Sequence, residues 1–408
     1  MLVNQPFIRY LPIILCALFL VPAHAADPVF VVHTAAGNSL ESSLRELGPD
    51  WSVRLEKGAT VAAGDLLSLR RPGMGLPPMP SGPHLVLTNG DRIPAEDVRL
   101  TGERVHFRHP DLNDGKETTL PLSLLALYWR EMPGGAGEAL RRRLIRDSRA
   151  RDVVLLQNGD RVEGSLHGID GRGVEVEVEK KRVTIELNRV AAVALSSEVA
   201  DRNRPRGVFA RLALIAKNQS DGTRLSLTKA TCADGATLNG TTVFGATLNV
   251  PLERVAALDL FQGRAVYLSD LKPAATESEP FLDVRWPLVV DGSATGRELR
   301  LSDGVYDKGL GMHPRSRVTY RLDGAYQRFE AVVGLDPGSG RDGSTRVRVL
   351  ADGKPLDLGL KGELRALDAP LTIAANVAGV KELTLEVDFG RRGDVQAHVN
   401  WADARLVK

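Results

Sequence analysis

The chain is written in short apolar runs, many alternating residue by residue with polar positions and bounded by Asn-Gly, Asp-Gly or basic turns. A period of two is the mark of strands with one face on a core. Residues 173–179 show it plainly: Val174, Val176 and Val178 fall on one face, and Glu175, Glu177 and Glu179 on the other. Asn89-Gly90 and Asn158-Gly159, each between two such runs, predict type I′ hairpins with positive φ at both central residues. With 40 glycines and only 5% aromatics, the pattern predicts an all-β chain.

The runs also repeat. Residues 153–195 read strand, tight turn and three further strands, closing on the apolar stretch 190–195. Residues 85–129 follow the same plan, 212–260 follow it from Asp221-Gly222 onward, and 29–70 carry a degenerate copy. Units are therefore expected at 26–75, 83–132, 152–198 and 206–262. One such sheet buries too little apolar surface alone, so the units should close into small barrels or pack on each other. The pattern is similar to Sm-like and SH3-like small barrels, a likeness of fold that carries no function. Residues 133–151 predict a basic helical linker, with Leu140, Leu144 and Ile145 on one face. Its arginines suit an acidic-polymer patch or, with no aromatic platform beside them, a solvated face.

At the N-terminus, Arg9 precedes an apolar run over 11–21, and Ala23-His24-Ala25 follows. The run is shorter than the roughly 20 residues of a membrane span. This predicts a signal peptide cleaved after Ala25 and a periplasmic or extracellular product with no membrane span after cleavage. Cys16 follows the bulky Leu15 inside the run, unlike a lipidation site, and Cys232 is then alone, so no intrachain disulfide forms. Lys plus Arg number 53 against 51 Asp plus Glu, which argues against a nucleic-acid binder.

From Tyr267 the hairpin repeat stops. The blocks that follow are Trp286 to Asp291, Tyr306 to Leu322 with its Lys-Gly-Leu-Gly-Met-His core, Phe329 to Asp336, and the Trp-Ala-Asp-Ala-Arg terminus from Trp401. Taken in order, residues 264–408 resemble the NPCBM/NEW2 family, related to carbohydrate-binding module family 51. The resemblance implies a galactose-binding-like jelly-roll β-sandwich and an accessory role on a glycan or polysaccharide. Sugar sites need aromatic faces and planar polar groups. That makes Tyr306, His313, Arg315, His398, Asn400, Trp401 and Asp403 the carbohydrate-binding candidates, with loops 338–343 and 391–396 shaping the site. Each candidate also has a structural role open to it. Alternation turns Trp401 inward beside Ala402 or Ala404, His313 can serve buried backbone groups, and Asp403 can pair with Arg405. Asp carboxylates and loop carbonyls would suit a structural calcium of the kind some related modules hold. No other cofactor is expected.

No Gly-x-Ser-x-Gly, His-Glu-x-x-His or P-loop occurs, and every stretch is taken up by a β unit or the terminal module. A domain for a catalytic carboxylate pair is therefore missing, and no enzyme is expected. The sequence predicts an exported, non-catalytic carbohydrate-binding protein with the β units as spacer or scaffold. The alternative is an envelope scaffold that meets protein partners through those units, its module no longer holding sugar.

Overall fold

A computed structural model describes residues 27–131, 137–198, 205–215, 222–281, 284–359 and 362–408. The predicted signal peptide, residues 133–136 of the predicted linker, and Asp221 lie outside the described residues.

Four β units do form. In the first, Val29–Thr34, Ser39–Leu47, Val53–Leu55 and Thr60–Val61 follow one another, and Leu66–Arg70 returns to pair with Val29–Thr34. The same connectivity recurs over 84–129, 152–194 and 209–261, where the fifth strand again returns to the first. In these three units a single 3-10 turn, such as Leu187–Arg189, feeds the fifth strand.

The Asn-Gly turns are not type I′. Leu87 N–H donates to the Asp91 carbonyl at 2.9 Å and Gly90 N–H to the Leu87 carbonyl at 2.9 Å, with positive φ at Gly90 (91°) alone of the pair. Gly159 repeats this at φ 91°. The result is a type I turn closed by a glycine bulge. Side chains select it: Asn89 Oδ1 accepts from Asp91 N–H at 3.0 Å and Asn158 Oδ1 from Asp160 N–H at 3.1 Å. These Asx contacts hold the asparagines right-handed. Positive φ at both central residues occurs instead at Glu179-Lys180 (50° and 66°) and Asp352-Gly353 (47° and 78°).

The units nest rather than follow in line. The fifth strands pair back to back, unit 1 with unit 4 (Leu69 opposite Leu258) and unit 2 with unit 3 (Tyr128 opposite Val193). Second strands complete each pair through Leu47 and Cys232, and through Leu100 and Ile169. One apolar core runs through all four units. The fifth strands are apolar on both faces, as at Val190–Ala194, because something covers their backs. Helix α1 (Gly137–Arg146) lays Leu140, Leu144 and Ile145 on Trp129, Ala192 and Ala194. Ala265 and Val407 of the terminal module lie on Ala35 and Leu67 of unit 1.

The arginines of α1 are not a solvated face throughout. Arg143 and Arg146 are exposed, but Arg141 is buried over the Trp129 ring at 5.6 Å and donates to the Pro80 carbonyl. Arg142 donates to the Asp291 carbonyl of the module at 3.2 Å. The helix is short and wedged between bodies, so Arg141 is buried and Arg142 is largely covered.

The module is an antiparallel β-sandwich. Val289–Val290, Gly309–Met312, Val399–Val407, Arg328–Leu335 and Leu371–Asn376 make one sheet, with Ala265–Tyr267 also on Val399–Val407. Ala275–Ser278, Ser316–Arg321, Glu382–Phe389, Ser344–Ala351 and Lys354–Pro355 make the other, with Leu364–Arg365 on Ser344–Ala351. Trp401, Tyr320 and Phe329 fill the space between them.

Ion pairs lock the module to the repeats. Asp307 accepts from Arg224 of unit 4 at 2.5 Å and faces Arg92 of unit 2 at 3.6 Å. Burial would raise the Asp307 pKa, but Arg224, Arg92 and Arg211 outweigh it and hold the carboxyl well below the usual range. Arg70 of unit 1 bridges Asp259 at 2.9 Å and Asp403 of the module at 2.5 Å.

Two substitutions test this packing. In Gly164→Ala the new Cβ would lie 2.3 Å from the Glu177 carbonyl oxygen, so denaturant unfolding should show a loss of roughly 1–3 kcal/mol. Gly171→Ala, facing open space, should lose little. Asp307→Asn leaves Arg224 and Arg92 buried without their carboxylate and should cost roughly 3–5 kcal/mol by the same measurement.

Candidate functional site

One rim of the sandwich gathers rings. Trp286, half-buried on a stretch between strands, stacks on His313 at 4.8 Å with 20° between planes, and His398 meets it edge-on at 4.8 Å. His313 and His398 are 4.9 Å apart. His313 Nδ1 donates to the Pro314 carbonyl at 2.7 Å, which fixes its ring beneath the indole. His398 Nδ1 is shut off from solvent with no hydrogen-bond partner. Burial lowers both histidines, His398 to about 4 with the His313 ring adding to the effect. Neutral imidazoles at neutral pH leave the rim uncharged at its centre.

Loops 338–343 and 391–396 close around this cluster. Asp342 N–H donates to Gln396 Oε1 at 2.9 Å and Arg392 pairs with Asp342 at 2.5 Å. Gly340 and Gly343 are required there, since a Cβ on either would sit within 2.2 Å of Gln396. Phe281 packs on Phe389 at 5.4 Å beside Gly393, and both Phe281 and Val395 are exposed. Arg315, at the same end, pairs with Glu279 at 3.1 Å and Asp388 at 3.8 Å. Apolar faces bordered by planar charged groups suit the two sides of a pyranose.

The seven predicted residues divide into three places. His313, His398 and Arg315 meet on the rim. Trp401 and Asn400 are fully buried; Asn400 Nδ2 donates to the Arg300 carbonyl at 2.7 Å and Trp401 fills the core. Tyr306 and Asp403 lie toward the repeats. Tyr306 donates to Asp303 at 2.8 Å and packs beside Leu299, while Asp403 is held by Arg70. Asp403 does not pair with Arg405, which binds Glu330 at 2.7 Å instead. Trp286 and Phe281 were not among the predicted residues. Their signal was a pair of aromatics five positions apart in the short stretch 279–288, ahead of the Lys-Gly-Leu-Gly-Met-His block.

Among the described residues no group of three or more His, Cys, Asp or Glu side chains is arranged to hold a metal. No described helix is long and apolar enough to cross a membrane.

An antiparallel sandwich with an aromatic rim has the build of a carbohydrate-binding module. Residues 264–407 match the NPCBM/NEW2 domain, the family that the motifs resembled. Similar solved structures include CBM51-2 with INT domains of Clostridium perfringens ZmpB in complex with GlcNAc, 23% identical, TM-score 0.33, covering 42% of this chain and 36% of that one. CBM51 from Clostridium perfringens GH95 in complex with methyl-galactose is 26% identical, TM-score 0.32, covering 35% of this chain and 99% of that one. The tandem CBM51 modules of Sp3GH98 from Streptococcus pneumoniae SP3-BS71 are 12% identical, TM-score 0.30, covering 62% and 87%. This chain thus spans 36% of the first of these structures. No curated protein matches the chain.

The buried histidines give the fold a pH dependence of known sign. His33, His109 and His398 are lowered from 6.5 to about 4, in each case chiefly by burial. The unfolded chain binds more protons between these values, so stability is full above pH 6.5 and falls as pH drops toward 4. Thermal unfolding followed from about pH 7.5 down to about 4.5 should show this decline, and His398→Gln should make it shallower.

Proposed function

We propose that the chain is an exported, non-catalytic protein that binds a glycan at the rim of its terminal sandwich. The observation that carries this is Trp286: a half-exposed indole backed by two neutral imidazoles, in a module matching a carbohydrate-binding family. The indole offers a flat apolar face to the CH side of a pyranose, and Arg315, Asp394 and Gln396 around it supply partners for hydroxyls. Stacking and hydrogen bonding of this kind need no cofactor. The repeats are a rigid base that sets the rim's direction, and the signal-peptide pattern of residues 1–25 places the glycan outside the cytoplasm.

Binding of the full chain to a panel of neutral hexosides and N-acetylhexosamines tests this. Trp286→Ala should weaken the best binder at least tenfold, about 1.4 kcal/mol, with the unfolding temperature nearly unchanged. A folded wild-type chain that binds no glycan, while crosslinking to a defined envelope protein, would favour the scaffold alternative.

A further inference from the structure

Between the module and the repeats lies a cavity of about 590 Å³, far from empty of chemistry. That volume is ordinary for a small-ligand site. It opens where unit 2, unit 4, helix α1 and the module meet, and no rim residue lines it.

One wall is cationic. Arg92, Arg142 and Arg211 line it with side chains only 15%, 16% and 12% exposed. Arg92 Nη1, Arg142 Nε and Arg211 Nε are each closed off from water, with no hydrogen-bond partner among the described residues. The carboxylates nearest them stand too far for a hydrogen bond: Asp307 at 3.6 Å, Glu138 at 3.7 Å and Asp91 at 3.9 Å. Those three atoms are out of a ligand's reach as well, so what the wall offers one is the small exposed part of each arginine side chain and its charge. Burial, then the neighbouring Arg92, pushes Arg142 down to about 10. Asp307 lines the same wall and offsets part of the charge of Arg92 and Arg211, but with Arg142 and Arg146 the wall stays net cationic.

The other wall differs. Lys308 donates to Asp270 at 2.7 Å and Asp291 at 2.6 Å, so two carboxylates face the cavity in fixed positions. Between the walls run Val86, Ile145, Val266 and Val289, with the edges of the stacked Phe209 and Phe261. A bare inorganic anion would satisfy the arginines and leave the rest of the volume unused. A neutral sugar would satisfy the carboxylates with its hydroxyls and leave the guanidinium donors unmet.

We infer that this cleft is a second ligand site, taking an acidic saccharide of the uronic-acid class. Its carboxylate is received by Arg92, Arg142 and Arg211, and its hydroxyls by Asp291, which adjoins Arg142. The site goes beyond the rim and does not depend on it.

Calorimetric titration of the full chain with di- and trigalacturonate, with the neutral methyl galactoside and with inorganic phosphate tests the inference. The uronates should bind tighter than either other probe by at least tenfold. Arg142→Gln should weaken uronate binding at least tenfold, and Trp286→Ala should leave it unchanged. Arg146 stands at the mouth and is 62% exposed, so Arg146→Glu keeps the fold and should weaken uronate several-fold even if Arg142→Gln fails to fold. The inference is overturned if the folded chain binds no uronate, or if methyl galactoside or phosphate binds as well. It is equally overturned if Arg146→Glu has no effect. Loss of uronate binding in Trp286→Ala would also sink it, and would assign the acidic sugar to the rim instead.

Discussion

Asp307 is the group on which the assembly of this chain turns. The strand bridge that joins units 2 and 4 sets Arg92 directly opposite Arg224, and like charges across a strand pair repel. Arg224 cannot escape to water at 1% exposed, and the Arg92 side chain is only 15% exposed. The two repeats can meet there only if a carboxylate arrives from elsewhere, and it comes from the module. An apolar trio in the same place would pack as well, but it would not dictate which loop must dock. The module and the repeats are therefore parts of one folded body.

The same dependence shows in the sheets. Each pair of fifth strands is apolar on both faces, which suits strands covered on both sides and would be a liability on an open sheet. Units 2 and 3 solve it with α1, unit 1 with Ala265 and Val407 at the two ends of the module, and unit 4 with Leu76 and Tyr267. Arg70, on the fifth strand of unit 1, then reaches Asp259 and Asp403 together and ties unit 4 and the module at one point. Covering and pinning are done by different residues, and the module contributes to both.

Much of the fold was legible because strand period and turn chemistry are local. Val174 and Val176 face inward as their alternation required, Asp352-Gly353 makes a hairpin, and Trp401 is buried on its terminal strand. The type of the Asn-Gly turns was not legible from the dipeptide alone, because the aspartate that follows recruits the asparagine side chain and changes its φ. The fate of Asp403 was hidden for a different reason. Its partner, Arg70, is separated from it by 333 positions, and nothing near either residue marks the pairing. On the rim, His313, His398 and Arg315 lie in the blocks that carry the resemblance, and so does Trp286, which nothing in its own block marks as facing a ligand.

That division follows from what a motif must do. Residues recurring in a sandwich family satisfy the sheets, as Gly309 and Gly311 do where a Cβ would strike backbone within 2.4 Å, and as Asn400 does at the Arg300 carbonyl. A ligand-facing group must leave some of its bonding capacity unspent, so it stands where the fold asks little of it. Trp286 meets that condition on a stretch between strands, with one face of its ring committed to His313. The guanidiniums of Arg92, Arg142 and Arg211 meet it at a junction of separately encoded bodies. No single unit contains the cleft they line, and only the docking that Asp307 enforces brings their unspent donors onto one volume.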